Sequence, residues 1–234
     1  MKFAFDLHLH SCLSPCGGED STPVNLAAIC SLAGLDIVAL TDHNTCGNCR
    51  AFCEAARAHG LLAIPGMELT TSEEVHVICL FAEVDQAEAF SDYVREQLPP
   101  IENDPRFFGQ QTLMNHRDEI LGQDHAFFAG ATGIGIYDVC ALVESYGGVA
   151  FPAHIDRPSF SLLSNLGLWD PDMGFSIAEL SPTCPDGFTD RPDLDGVRFL
   201  SDSDAHLLDQ IPDARQWMDL PEKSIHAVLD WLKT

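Results

Sequence analysis

Residues 2–9 alternate between faces in the manner of a strand, with Phe3, Phe5, Leu7 and Leu9 spaced two apart. Thr22-Pro23 then predicts a helix over 23–33, with Thr22 as its N-cap and Gly34 as its stop. The short apolar run 36–40 suits a buried parallel strand, and 48–59 reads as the next helix, closed by Gly60. A third strand is expected over 61–69 and a fourth over 75–81, separated by the polar turn 70–74, and a helix over 86–97 follows. From Pro99-Pro100 to residue 135 the pattern weakens, with Phe107, Phe108, Phe127 and Phe128 set among glycines. This stretch reads as an inserted excursion with one helix near 112–121, either covering a site or forming a subunit contact. The rhythm returns with a helix over 137–146, a Gly147-Gly148 turn, strands at 149–151, 176–180 and 197–200, and an amphipathic closing helix at 222–232.

Alternation of strand and helix at this period predicts βαβ units, hence an α/β fold with a parallel sheet or barrel. A length of 234 residues with 46% hydrophobic content suits one core, so residues 1–234 are read as a single domain carrying the 99–135 excursion. In such folds the chemistry sits at the C-terminal ends of the strands.

The first strand ends in His8 and His10, which share a face roughly 6–7 Å apart and can converge on one ion. Alone, this pair does not separate half of a metal site from two strand histidines. The later strand ends add Asp42 and His43, then Glu68, His76, His154, and finally Asp204 and His206. A carboxylate has two oxygens with which to bridge two ions, whereas an imidazole offers one lone pair to one ion. Recurrence of these residue types at successive strand ends is the signal of a divalent-metal cluster.

Charge and cysteines bound the setting. With 36 acidic and 12 basic residues the formal charge is -24, which repels a nucleic-acid backbone unless bound cations reverse the sign locally. A long nucleic acid is therefore not the expected partner. An acidic residue at position 6 comes too early for a secretory leader, and no apolar run approaches the ~18 residues of a membrane span, so a cytoplasmic protein without membrane contact is expected. Nine scattered cysteines read as reduced thiols. Cys30, Cys79 and Cys140 fall in core patterns. Cys46, Cys49 and Cys53 share a helix face, with core packing the leading reading and a separate zinc or redox role the alternative.

The run DLHLHS at 6–11, LTDHN at 40–44, PGMEL at 65–69 followed by His76, PAH at 152–154 and SDAH at 203–206 together resemble the polymerase and histidinol phosphatase (PHP) family of metal-dependent phosphoesterases. The resemblance implies a distorted (β/α)7 TIM-like barrel and two or three divalent ions, zinc, manganese or iron. It implies that His8, His10, Glu68 and Asp204 hold the first ion, that Glu68 bridges to a second held with His76 and His154, and that His43 and His206 bind a third. The aspartate that many relatives carry after the His-x-His-Ser is replaced here by Pro15, so either Cys16, Glu19 or Asp20 substitutes or the third ion is weak or absent. Cys16 is the preferred candidate because a thiolate is a good zinc or iron ligand.

The activity implied is hydrolysis of a small phosphomonoester or short nucleotide by a metal-bridging hydroxide. Asp42 is expected to orient His43 or shuttle a proton, and Arg157 to meet the substrate phosphate. Hydrolysis of a C–N bond by the same hydroxide and a non-catalytic metal-binding regulatory module are the alternatives.

Overall fold

The computed structural model describes residues 1–234. The strands β1 (Lys2–Leu9), β2 (Ile37–Leu40) and β3 (Leu62–Thr70) run parallel, joined through α1 (Pro23–Leu32) and α2 (Cys49–Ala58). Thr22 caps α1, accepting from Asn25 N with Pro23 in the first turn. β4 (His76–Phe81) follows β3 across a turn too short for a crossover, so it pairs antiparallel, from Gly66 opposite Leu80 to Thr70 opposite His76.

After α3 (Val84–Gln97) comes the excursion. It contains α4 (Pro105–Phe108) and, where the sequence predicts a helix near 112–121, a hairpin of β5 (Thr112–Met114) and β6 (Ile120–Gln123). The cause is Asn115, whose side-chain oxygen accepts from the backbone N–H of Arg117 at 2.9 Å and of Glu119 at 3.1 Å. That offers the chain a turn in place of a helical ladder, and Asp118 completes it in the left-handed region at φ +58°.

Downstream lie α5 (Ile136–Ser145), β7 (Gly148–Pro152), which pairs antiparallel with β4, and α6 (Leu162–Leu166). β8 (Ile177–Glu179) and β9 (Arg198–Leu200) form a parallel pair. One bond, Ile155 N to Glu179 O at 2.9 Å, joins β8 to the end of β7, and a bridge between Leu9 and Ala205 joins the end of β9 to β1. The mixed, curled sheet thus becomes a distorted (β/α)7 barrel of β1–β4 and β7–β9, ladder-paired over most of its wall and only pinned at these two seams. β10 (Trp217–Asp219) pairs antiparallel with the start of β1, and α7 (Ile225–Lys233), capped by Ser224, ends the chain.

Alternation along the strands feeds two cores. Val38 and Leu40 pack with Leu26, Phe52, Phe90 and Val139 of the flanking helices, whereas Ile37 and Ala39 pack with Phe5, Leu7, Phe151 and Leu229 of α7. Cys46 and Cys49 donate to the carbonyl of Gly66 at 3.1 and 3.2 Å, so these thiols pack along β3. Gly66 is required there, since a Cβ would stand 2.7 Å from Leu80 and 2.8 Å from Cys79 O.

The excursion is laced over the C-terminal ends of β1 and β2. Thr112 N donates to Cys12 O, and the Asn48 side chain donates to Thr112 O and accepts from Met114 N. Asn44 Nδ2 donates to the carbonyls of Phe128 and Gly130. Of the two placements open from sequence, it covers the strand ends.

Candidate metal centre

His8 and His10 are buried to 0% exposure, and their Nε2 atoms stand 3.1 Å apart. Glu68 Oε2 lies 3.3 and 3.2 Å from them, and Asp204 Oδ1 lies 3.2 and 3.1 Å from them. Five of the six separations among these four donor atoms are therefore 3.1–3.3 Å, close to the edges of a tetrahedron around one ion, and all four lie within 4.8 Å of one another. Ligands placed about 2.0–2.1 Å from a tetrahedral zinc are separated by about 3.3–3.4 Å. Glu68 Oε2 and Asp204 Oδ1 are moreover buried without a hydrogen-bond partner, and such orphaned acceptors are costly unless a cation meets them. The residues fit a divalent ion.

Glu68, on β3 where Met67 and Leu69 point into the core, is divided between two groups of imidazoles. Oε2 faces His8, His10 and, at 2.9 Å, His43 Nδ1; Oε1 faces His76 Nδ1 at 2.7 Å and His154 Nε2 at 3.1 Å. Each oxygen thus meets its own set of imidazoles, and the donor atoms of His43, Glu68 and His76 form a second group within 4.8 Å of one another, with His154 beside it. His76 opens β4, and His154 follows β7 at φ +30°, while Asp204 follows β9 at φ +51°. Left-handed backbone at two non-glycine donors costs on the order of 1–3 kcal/mol each, and both residues turn their side chains to the cluster.

A third group, His10, His43 and His206, brings its donor atoms within 4.8 Å of one another. It borrows His10 from the first group, and the other ring nitrogen of His10 already meets Ser14 Oγ at 2.8 Å. Cys16, the substitute expected from sequence, is exposed at the rim and belongs to none of the three groups. It lines the cavity above the cluster without joining the donors: Cys16 sits at φ +64° with its N–H on Phe108 O, and Gly17 is so tightly placed that a Cβ would stand 2.2 Å from Ser11 O. Glu19 and Asp20 also lie outside these groups.

The field inside the centre is strongly polarised. Burial pushes the Glu68 carboxyl up, but the imidazoles of His76, His43 and His8 outweigh it and hold Glu68 well below the usual carboxylate range. Burial disfavours a charged His10, yet Asp204 and Glu68 raise it to about 9. Burial, reinforced by His10 and His76, lowers His43 to about 4, and burial with His10 lowers His206 to about 3.

Asp42 has a different place from the one its sequence neighbour suggests. It is fully buried, and its two oxygens accept from the N–H and the hydroxyl of Ser11, each at 2.6 Å. Both acceptor atoms face Ser11 across the β1–β2 seam, so Asp42 clips the two strand ends together, whereas the His43 ring meets Glu68 Oε2 through Nδ1 at 2.9 Å and its backbone N–H goes to Ser14 Oγ. Arg157 is half-exposed, with one guanidinium nitrogen 2.5 Å from Asp204 Oδ2. A buried residue unmarked in the sequence, Glu179 at the end of β8, reaches His8 Nδ1 at 2.8 Å. The only sequence signal for it was an acidic residue closing a short apolar strand.

Above the cluster opens a cavity of about 430 Å³. Its floor and sides include His43, Glu68, His76, His154, Asp204 and His206, and Arg157 lies at its edge. Phe108 and Phe127 of the excursion form one aromatic wall, edge to face at 5.1 Å, and Phe160, stacked on His76 at 4.8 Å, forms another.

A barrel that gathers buried imidazoles and carboxylates at its strand ends has the make-up of a metal-dependent hydrolase. Residues 6–130, a little over half of the chain, match the PHP domain, and the chain belongs to that family of metal-dependent phosphoesterases. The match takes in His8, His10, His43, Glu68 and His76; His154, Asp204 and His206 join them through the fold. No curated protein matches the sequence.

Among solved structures the chain is similar to a lesion-specific endonuclease from Pyrococcus furiosus, at 17% identity and TM-score 0.72, covering 100% of this chain and 56% of that one. It is also similar to endonuclease Q in complex with a 27-mer duplex substrate bearing an abasic lesion at the active site (16%, TM-score 0.68, 100% and 57%). A third similar structure is a candidate metal-dependent phosphoesterase from Bifidobacterium adolescentis (18%, TM-score 0.60, 97% and 94%). The chain spans little more than half the length of the two endonuclease chains. The expectation that acidity rules out a long nucleic-acid partner is corrected by these two structures, in which this fold belongs to enzymes of DNA. Net charge is a sum over the whole surface, whereas a phosphate meets the local field, and bound divalent cations invert that field at the site. No helix is long and apolar enough to cross a membrane.

Proposed function

We propose that the chain is a metal-dependent phosphoesterase that hydrolyses phosphodiesters of a nucleic-acid strand. The observation carrying this reading is the cluster of His8, His10, Glu68 and Asp204 beneath a cavity that Glu68 and Asp204 line, edged by Arg157 and walled by phenylalanines. Two ions are proposed, zinc, manganese or iron. His8, His10, Glu68 and Asp204 hold one, and Glu68, His76 and His154 the other. His43 and His206 line the cavity as a third pair too poor in donors for a firmly held ion. When bound, the ions supply a water of lowered pKa as nucleophile and neutralise the phosphate oxygens.

The chain's own groups do the rest. Arg157 is tethered to Asp204 Oδ2, a carboxylate oxygen on the side away from the imidazoles, and swings to a phosphate oxygen when substrate enters. Phe108, Phe127 and Phe160 keep water from the cluster and give a base a π-face on which to stack, which suits a nucleotide unit better than a sugar phosphate. Similarity of fold to endonuclease Q supports a strand as the substrate. Nine unpaired thiols support a cytoplasmic setting.

The test is cleavage by manganese- or zinc-loaded protein of labelled single strands, duplexes and duplexes with an abasic site, beside bis(p-nitrophenyl) phosphate and a cyclic amide. Cleavage of oligonucleotides that stops with chelator is the expected result. Turnover of the amide without any phosphoester cleavage overturns the reading in favour of C–N hydrolysis.

A further inference from the structure

We propose that Glu179 is a positioning residue that fixes the tautomer and aim of His8 and thereby sets the affinity of the tetrahedral site. The inference rests on the metal-site reading above.

A histidine binds an ion through one nitrogen only if the other holds the proton, and which nitrogen does so is decided by the partner of the far side. His8 has Glu179 Oε2 at 2.8 Å on Nδ1, with both side chains at 0% exposure, while its Nε2 points at Asp204, Glu68 and His10. A carboxylate has no proton to give, so Nδ1 carries the hydrogen and Nε2 presents its lone pair to the cluster. His10 has on its Nδ1 a neutral partner, Ser14 Oγ, at 2.8 Å, which can donate as well as accept and so does not by itself fix the proton. The pair of ligands is thus asymmetric: a charged acceptor makes the His8 ring the more basic donor.

Glu179 is itself built in. It closes β8, and its backbone carbonyl accepts from Ile155 N, the bond that seams β8 to β7 next to His154. Its other oxygen, Oε1, is buried without a partner. Keeping an acceptor buried and half-satisfied costs stability, and the bond to His8 is what that carboxylate gains in return. Nearby Asp6 and Asp202 have other duties. Asp6 accepts from His8 N and Ser203 N, and Asp202 accepts from Leu7 N, so both fix the backbone of β1 and leave the imidazole of His8 to Glu179.

The experiment compares wild type, Glu179→Gln and Glu179→Met, each stripped and titrated with zinc in competition with a chromogenic chelator, and each loaded with cobalt for its visible spectrum. Gln keeps an oxygen acceptor without the charge; Met keeps the bulk without the acceptor. Affinity of the tighter site is expected to fall about 10-fold in Glu179→Gln and about 100-fold in Glu179→Met, the span found for partners of metal-bound histidines. The cobalt bands of the variants shift, whereas far-UV circular dichroism stays that of the wild type. Unchanged affinity and cobalt bands in both variants overturn the positioning role while leaving the metal site standing. A wild-type chain that binds neither metal overturns both.

Discussion

Glu68 and His76 approach to 2.7 Å through Oε1, while Oε2 of the same carboxylate stands among His8, His10 and His43. One side chain therefore joins two groups of donors that come from β1, β2 and β9 on one side and from β4 and β7 on the other. Glu68→Gln replaces one oxygen by an amide that donates to imidazole and cannot bridge. Loss of both ions by elemental analysis is expected, with a fall in hydrolysis of more than about 100-fold, because even partners one step removed from a metal cost 10–100-fold. A Glu68→Gln protein that keeps two ions would show that the carboxylate does not bridge.

Asp42→Ala separates holding the fold from doing the chemistry. It strips two bonds to Ser11 and orphans a buried N–H, for a destabilisation of about 3–6 kcal/mol at 1.5–3 kcal/mol per bond to a charged group. The expected signature is a lower midpoint in denaturant with metal content per folded chain near that of wild type. Loss of metal at unchanged stability would return Asp42 to the centre.

The protonation of His10 gives a pH dependence with a definite sign. In the metal-free chain its pKa is raised from 6.5 to about 9 by Asp204 and Glu68. Its stabilising charge is fully present below about 6.5 and is lost as pH rises towards 9. A metal must displace that proton, so binding at pH 7 releases protons and tightens as pH rises to about 9. His43 and His206, lowered to about 4 and about 3, stay neutral and release none. Calorimetry of metal binding in buffers of different ionisation enthalpy reads the release directly, and identical heats in such buffers would contradict it.

Phe160 offers a test of the substrate class. Its backbone is held at φ +52° with its ring flat on His76. Base stacking on an aromatic face is worth about 1–3 kcal/mol, so Phe160→Ala is expected to raise KM for an oligonucleotide about 5- to 150-fold and leave kcat for bis(p-nitrophenyl) phosphate far less affected. Phe160→Trp should restore the oligonucleotide KM. Equal losses on both substrates would assign the ring to supporting His76 instead.

How far the sequence could be read depended on whether a residue's neighbours in the chain are also its neighbours in space. His8 and His10 share a strand face, and the run of apolar strands places Glu68, His76 and Asp204 at one end of the barrel, so period and strand order lead to the centre. Asp42 shows the limit: it adjoins His43 in sequence, but at a strand end consecutive side chains diverge, and its partner is Ser11, 31 residues away. Glu179 had no audible signal, because β8 has three residues and the contact with His8 spans 171 positions. The hairpin at 112–123 was hidden by Asn115, whose side chain overrules the local pattern. The charge of -24 sums over the whole surface and does not report the field at the strand ends, and the similar endonuclease structures show that it is no guide to the partner.

The most direct measurement is metal content and oligonucleotide cleavage on one sample, for wild type and Asp204→Asn purified without chelator. Two ions per chain and chelator-sensitive strand cleavage in wild type are expected, with at least one ion and cleavage lost together in Asp204→Asn, since Asp204 supplies one corner of the tetrahedron. Two ions in both proteins with no cleavage by either would contradict a metal-dependent phosphodiesterase built on this cluster.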